Sequence, residues 1–382
     1  MTHTLLITND FPPRTGGIET FCHELARRMS PAADGAPGVV VYTSHASGAS
    51  EYDAALPFPV VRDTARTLLP TARVARRAAQ LVREFGCDRV VFGAAAPLGL
   101  LAPHLRAAGA RRIVAITHGH ELWWARLPGS RQLLRWIADG VDVLTYLNAH
   151  TRGVIEPALA PAGRARLAQL SPGVDPALFR PDVDTGAIRQ RYRLYGARMV
   201  LCATRLVPRK GVDTLLRAWP RVHSAIPDAR LLVVGDGPDR TRLHRLRRRL
   251  GDAATTVTFA GSHPHAALPE FFAAADVFAM PCRTRRAGLE PEGLGIVYLE
   301  AAASGLPVIV GDSGGAPEAV RDGETGYVVN GRDSREVAQR LITLLTTPAQ
   351  KQAMGERGRR WVRVEWTWDA VASRLESLCP PG

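Results

Sequence analysis

Lysine is nearly absent from this chain. Of 49 basic residues only Lys210 and Lys351 are lysine, and arginine supplies the rest. A GC-rich coding sequence accounts for most of such a bias, and the two surviving lysines stand out against it. Cysteine is scarce as well: Cys22, Cys87, Cys202, Cys282 and Cys379 lie far apart with no C-x-x-C pair. That argues against a zinc site or a disulfide scaffold and fits a reducing cytosol. No apolar run approaches the ~20 residues of a membrane-spanning helix, so any membrane role would be peripheral. No basic n-region or cleavage site precedes the strand-like Thr4-Leu-Leu-Ile-Thr8, and no secretory leader is expected. Aromatic residues make up only 6%, and no RRM, KH or helix-turn-helix pattern occurs. The net charge of +13 favours polyanions, yet a nucleic-acid-binding protein would lack its stacking residues and its motifs. The G-x-G-x-x-G fingerprint is missing too, which counts against a nicotinamide enzyme.

What is present is an ordinary globular composition, 46% hydrophobic and 22% charged, in a chain long enough for two cores. Short runs rich in Val, Ile and Leu recur, each followed by a helical stretch. The first series is Leu5–Thr8, Val39–Thr43, Val60–Arg62, Val90–Phe92, Ile113–Thr117, Val143–Tyr146 and Leu167–Leu170. The second is Met199–Ala203, Leu231–Val234, Val257–Phe259, Val277–Met280, Val308–Val310 and Tyr327–Val329. Continuous apolar strands alternating with helices indicate parallel sheets covered on both faces. The expectation is an α/β protein of two doubly wound, Rossmann-like domains facing each other. Pro/Gly-marked segments around Ser171–Asp175 and Phe179–Asp182 divide them. A final helix with Val371, Leu375 and Leu378 at helical spacing is expected to cross back to the first domain. The domain boundaries expected are 1–171 with 364–382, and 172–363.

In open α/β sheets, ligands gather at the carboxyl ends of the strands. The first strand runs into Asn9, Asp10, Arg14, Gly16 and Gly17. Two adjacent glycines opening a helix are either a tight turn or a place where backbone N–H groups meet a phosphate. Another strand ends at Thr117-His118-Gly119-His120-Glu121. Its H-x-H-E lacks a third spaced ligand, so no metal is expected, and His118 is read as a hydrogen-bond partner for a sugar hydroxyl. In the second series, Arg205 and Lys210 share one short loop and can aim two cations at a diphosphate. Further on, Glu292 and Glu300 are spaced E-x7-E, with Gly293 and Gly295 just after the first. If a helix starts near Gly295, both carboxylates serve one ligand, and N–H groups around Ile296 and Val297 meet its diphosphate. Gly235, after a strand, either borders the nucleotide or is only a turn.

At these residues the chain resembles the large GT4 family of retaining glycosyltransferases. More closely, it is similar to the actinobacterial GDP-mannose-dependent mannosyltransferases that modify phosphatidylinositol mannosides. The likeness is densest in Thr8-Asn-Asp-Phe-Pro-Pro-Arg14, Phe92-Gly-Ala-Ala-Ala-Pro97, Thr117-His-Gly-His-Glu121, Arg205-Leu-Val-Pro-Arg-Lys-Gly211 and Glu292-Gly-Leu-Gly-Ile-Val-Tyr-Leu-Glu300. It implies the two-domain GT-B fold and transfer of mannose from GDP-mannose to a phosphatidylinositol monomannoside, giving a dimannoside. It also implies Gly16 and Gly17 beside the diphosphate, Arg205 and Lys210 neutralising it, Glu292 and His118 on the donor sugar, and Glu300 on the ribose. The guanine contact falls near Gly261–His265. Asn9, Asp10 and Arg14 are the acceptor candidates, and no cofactor is expected. Asp182-Val183-Asp184 spells the D-x-D of the other large glycosyltransferase fold, but it lies in the linker and is read as chance.

One segment bears on the membrane. In Thr71–Phe85, Val74, Ala78, Leu81, Val82 and Phe85 share a side, while Arg73, Arg76, Arg77 and Arg83 lie opposite. This is either a solvated surface helix or a dock for anionic lipid. With the lipid acceptor, the second reading places the protein in the cytoplasm, peripheral at the inner face of the plasma membrane. A different nucleotide sugar, another lipid or a small polyol acceptor remain alternatives. A phosphorylase is disfavoured, since neither lysine looks like a pyridoxal site.

Overall fold

The structure, a computed structural model, describes residues 3–29, 38–119, 121–286 and 288–380. It divides into two compact units, Met1–Gly173 with Trp368–Gly382, and Val174–Thr367. The first is built on a seven-stranded sheet of β1 (His3–Thr8), β2 (Val39–Thr43), β3 (Val60–Arg62), β4 (Cys87–Phe92), β5 (Arg112–Ala115), β6 (Val143–Tyr146) and β7 (Leu167–Gln169). Their order is β3-β2-β1-β4-β5-β6-β7, every neighbouring pair parallel. All five residues of β2 are buried, as are the last five of β1. A strand covered on both faces has no polar side to alternate with, hence the unbroken apolar runs.

The second unit repeats the scheme with β8 (Arg198–Ala203), β9 (Ala229–Val234), β10 (Val257–Gly261), β11 (Val277–Met280), β12 (Val308–Gly311) and β13 (Gly326–Val329). Its order is β10-β9-β8-β11-β12-β13, again parallel throughout. All thirteen strands fall on the runs read from the sequence. Two end early: β7 stops one residue short, at Gln169, and β5 stops at Ala115, where Thr117 turns its N–H and hydroxyl to Thr145, at 3.3 and 2.8 Å.

The last helix, Trp368–Leu378, belongs to the first unit. Val371 and Leu375 are buried, Trp368 packs edge-on to Phe21 at 5.7 Å, and Asp369 accepts from Arg28 at 2.6 Å. The preceding helix, Pro348–Glu365, stays with the second unit, so residues 364–367 fall there, and residues 172 and 173 fall in the first. Trp361 and Trp366 pack on each other there, ring centres 5.6 Å apart.

Candidate active site

Each sheet reverses its winding once, between β1 and β4 in the first unit and between β8 and β11 in the second. The carboxyl ends of those strands are where an open α/β sheet binds its ligand. The chemistry-bearing residues of the second unit gather there. β8 leads into Arg205 and a short turn, Pro208–Lys210, closed by Gly211. Gly211 has φ +73°, and a Cβ there would run into the Pro281 carbonyl beyond β11, so the position accepts only glycine. Lys210 Nζ then reaches Glu292 Oε1 at 2.8 Å, with both side chains largely buried. Arg209 Nε stands 3.7 Å from the other oxygen, Glu292 Oε2. The Glu292 backbone is fixed from both sides. Its N–H donates to Ser313 Oγ at 3.0 Å, and its carbonyl accepts from Gly315 at 3.1 Å.

Arg205 is exposed, one residue from a loop held rigidly from behind. Thr204 N–H donates to Val234 and Leu206 N–H to the Asp236 carbonyl, at 2.8 and 2.9 Å. Gly235 makes that approach possible, since a Cβ at its φ of +127° would strike the Thr204 carbonyl. Its observed part is to seat the loop carrying Arg205.

Eight residues beyond Glu292, Glu300 lies in the helix Ile296–Ala303, which starts from Gly295 at φ +77° without a side-chain cap. Ile296 and Val297 are half-buried in its first turn, and Gly293 is exposed just before it. The Glu300 carboxylate is buried. His265 Nε2 meets Oε1 at 2.8 Å, while Oε2 has no hydrogen-bond partner among the described residues. The carboxylate raises the pKa of His265 above its ordinary value, against the pull of burial. Neither nearby thiol is a nucleophile, because burial pushes Cys202 and Cys282 up to about 12.

In the first unit the candidate side chains are held mainly by backbone. Asn9 exchanges two hydrogen bonds with Leu68, its Nδ2 donating to the carbonyl at 3.0 Å and its Oδ1 accepting from the N–H at 2.6 Å. Asp10 N–H donates to Thr8 Oγ1 at 3.0 Å. Arg14 donates to the carbonyls of Asn9, His45 and Arg66 at 3.3, 2.7 and 3.1 Å. Gly16 caps the helix Gly17–Arg28, and a Cβ on it would collide with the Glu19 carboxylate, whereas Gly17 faces open space. His118 meets the Gly93 carbonyl, just past β4, at 2.5 Å through Nε2, and Phe21 stands edge-on to its ring. His120 lies outside the described residues.

Two family descriptions cover the chain between them: Glycosyltransferase Family 4 matches residues 15–178, and Glycosyl transferases group 1 matches 184–361. A GDP-mannose-dependent alpha-(1-6)-phosphatidylinositol monomannoside mannosyltransferase of Mycolicibacterium smegmatis is 47% identical over 382 residues, covering 98% of this chain and 97% of its own. The chain belongs to the family 4 glycosyltransferases. A Corynebacterium glutamicum relative, described as acting on the monoacylated monomannoside, is 43% identical over 380 residues with the same coverage. A solved glycosyltransferase from Rickettsia africae superposes over 100% of both chains with a TM-score of 0.81 at 15% identity, a likeness of fold alone. That fold is GT-B.

The membrane candidate of the transferase is the helix Ala72–Glu84, capped by Thr71, with Val74, Ala78, Leu81 and Val82 in the core. Its arginines are not four equal cations, as the sequence had them. Arg73 forks onto buried Asp63 at 2.9 and 2.8 Å, and that contact, helped by the Tyr42 hydroxyl, holds the Asp63 pKa down to about 2. Arg77 stands 3.6 Å from Glu84. Arg76 and Arg83 alone are exposed and without a partner among the described residues. The D-x-D decoy is spent on a turn: Asp182 pairs with Arg180 at 2.5 Å and Asp184 accepts from Gly186 at 2.9 Å. Sequence reasoning missed Arg209 and Ser313 at Glu292, placed His265 only roughly, and did not see Gly93 under His118. Each is a contact across more than twenty residues that no local spacing encodes.

Proposed function

We propose that this transferase moves mannose, with retention, from GDP-mannose to a phosphatidylinositol monomannoside, giving the dimannoside. The observation that carries the reading is the Lys210–Glu292 pair at the β8–β11 switch point, a fixed cation beside a buried carboxylate. As the glycosidic bond breaks, negative charge grows on the departing β-phosphate, and cations already in place favour the transition state over the ground state. Lys210 and Arg205 supply that charge. The N–H groups of Ile296 and Val297 add to it at a helix N-terminus, with Gly293 giving the backbone room to approach. Gly16 and Gly17 do the same for the first unit.

Glu292 and His118 orient the donor sugar, and the unpartnered Glu300 Oε2 accepts from a ribose hydroxyl. Protein cations doing this work call for no metal, and the transferase is proposed to use no cofactor. Asn9, Asp10 and Arg14 serve the acceptor. The donor and acceptor are those in the relatives' names, and the near-full-length identity supports carrying them over. Among the described residues no helix is long and apolar enough to cross a membrane, and the proposed location is cytoplasmic, peripheral at the inner face of the plasma membrane.

The test is transfer from labelled GDP-mannose to purified phosphatidylinositol monomannoside with chelator present, read by lipid chromatography. Labelled dimannoside is the expected product. Release of GDP without a mannosylated lipid would overturn the acceptor, and dependence on added metal would overturn the cofactor assignment.

A further inference from the structure

A recess of about 370 Å³ opens in the first unit beside Arg14, lined by Pro13, Arg14, His45, Ala46, Ser47 and Arg66. Its walls follow β1, β2 and β3, three neighbouring strands, at the carboxyl edge where this kind of sheet takes ligands. The lining is basic, and no carboxylate among the described residues belongs to it. The two arginines differ in how they are held. Arg14 is clamped by the carbonyls of Asn9, His45 and Arg66, which use three of a guanidinium's five N–H donors and leave the Nε–H and one Nη1–H to spare. Arg66 is exposed, and its guanidinium has no partner among the described residues. Neighbouring Arg62 is committed elsewhere, to Asp53 at 2.7 Å and the Pro12 carbonyl at 2.5 Å.

A clamped fork beside a free one, with a hydroxyl and an imidazole in reach and no competing acid, matches the tetrahedral oxygens of a phosphate. We infer that this recess is the subsite for the acceptor's phosphate group, the phosphodiester joining the inositol to its lipid, gripped by Arg66 and by the spare N–H groups of Arg14. The inference rests on the acceptor reading above. It adds His45, Ser47 and Arg66 to the acceptor side and gives Arg14 a definite ligand.

Two soluble acceptors test it: the deacylated headgroup, a glycerophosphoinositol mannoside, and a mannosyl-inositol without phosphate. The readout is the ratio of kcat/KM for the first to that for the second. In Arg66→Glu this preference is expected to fall about ten- to a hundredfold, the range for a hydrogen bond to a charged group. Arg245→Glu, an equal change of charge on an exposed arginine of the second unit, is expected to leave the ratio alone. Inorganic phosphate should compete with the deacylated headgroup in the wild type and lose that effect in Arg66→Glu. If the variant does not fold, Arg66→Gln replaces it with the same readout.

An unchanged ratio overturns the inference. So does a loss seen only with intact lipid in anionic vesicles, since that marks a general surface cation. If the wild type mannosylates neither acceptor, the functional reading has failed instead. Binding of inorganic phosphate then decides the subsite: loss in Arg66→Glu keeps it, and equal binding removes it.

Discussion

The two units of the transferase share a winding scheme, yet they hold their candidate side chains by opposite means. In the second unit charge holds charge: Lys210 on Glu292 and His265 on Glu300, each around a buried carboxylate. In the first unit backbone holds side chain: Leu68 clamps Asn9, three carbonyls clamp Arg14, and Gly93 clamps His118. The first arrangement suits a ligand of constant charge and shape, because desolvated ions act strongly and need no reorganisation. The second leaves the Arg14 cation at the surface, where a large and variable acceptor can meet it. A nucleotide diphosphate fits the one description and a lipid headgroup fits the other.

The comparison breaks first at Lys210. Lys210→Ala is expected to cost about 10²–10³ in turnover, by analogy with losing one oxyanion donor. It also leaves the buried Glu292 carboxylate with only the longer Arg209 contact at 3.7 Å, and losing a hydrogen bond to a charged group costs about 1.5–3 kcal/mol of stability. Adding Glu292→Gln should recover most of the stability and none of the turnover, as read by thermal unfolding and steady-state rates. If turnover recovers with the fold, the pair is structural and the donor assignment falls.

Gly235→Ala probes the same unit without touching a charge. The new Cβ meets the Thr204 carbonyl and displaces the loop bearing Arg205. A shift near 1 Å at a positioning group can cost about a hundredfold, so turnover should fall tens of fold with the donor still bound. Asn9→Ala is the counterpart in the first unit. It removes two hydrogen bonds to Leu68, about 2 kcal/mol in urea unfolding, and should raise the acceptor KM more than the donor KM. A larger effect on the donor would reverse the division of labour.

How much of this was legible beforehand follows from the range of each interaction. Strand runs, the Gly-Gly helix start and the R-x4-K loop are local, and the structure places them where the sequence did. The helix start expected near Gly295 is there as well, at Ile296, because the glycine that opens it is local. What stayed hidden were long-range partners. Nothing near Lys210 announces that it pairs with Glu292, 82 residues on. Arg73 reads as a lipid-facing cation until Asp63, ten residues earlier in the loop after β3, is seen to take its charge. That capture sharpens the membrane test. Arg76→Ala and Arg83→Ala should each weaken binding to anionic vesicles about fivefold, and the effect should fade with salt. Arg73→Ala should do less, and equal losses from all three would restore the four-cation view.

The smallest effect tests whether charge holding charge also tunes the second unit. His265 titrates above the 6.5 of an ordinary histidine because Glu300 accepts its hydrogen bond, although burial opposes the shift. A raised folded-state pKa means the contact stabilises fully below the unfolded value and is lost as pH rises through the folded one. In acid, therefore, an imidazolium shares the carboxylate that a ribose hydroxyl needs. At higher pH the neutral ring leaves Glu300 a stronger acceptor. The donor KM should fall about two- to fivefold from pH 6 to pH 8, the scale of a half-exposed ion pair. His265→Gln keeps a hydrogen-bond donor but cannot titrate, so its donor KM should lose this slope. A slope that survives the substitution would assign the titration to the nucleotide's own phosphate and leave His265 as packing against Phe179, whose ring centre lies 5.4 Å away.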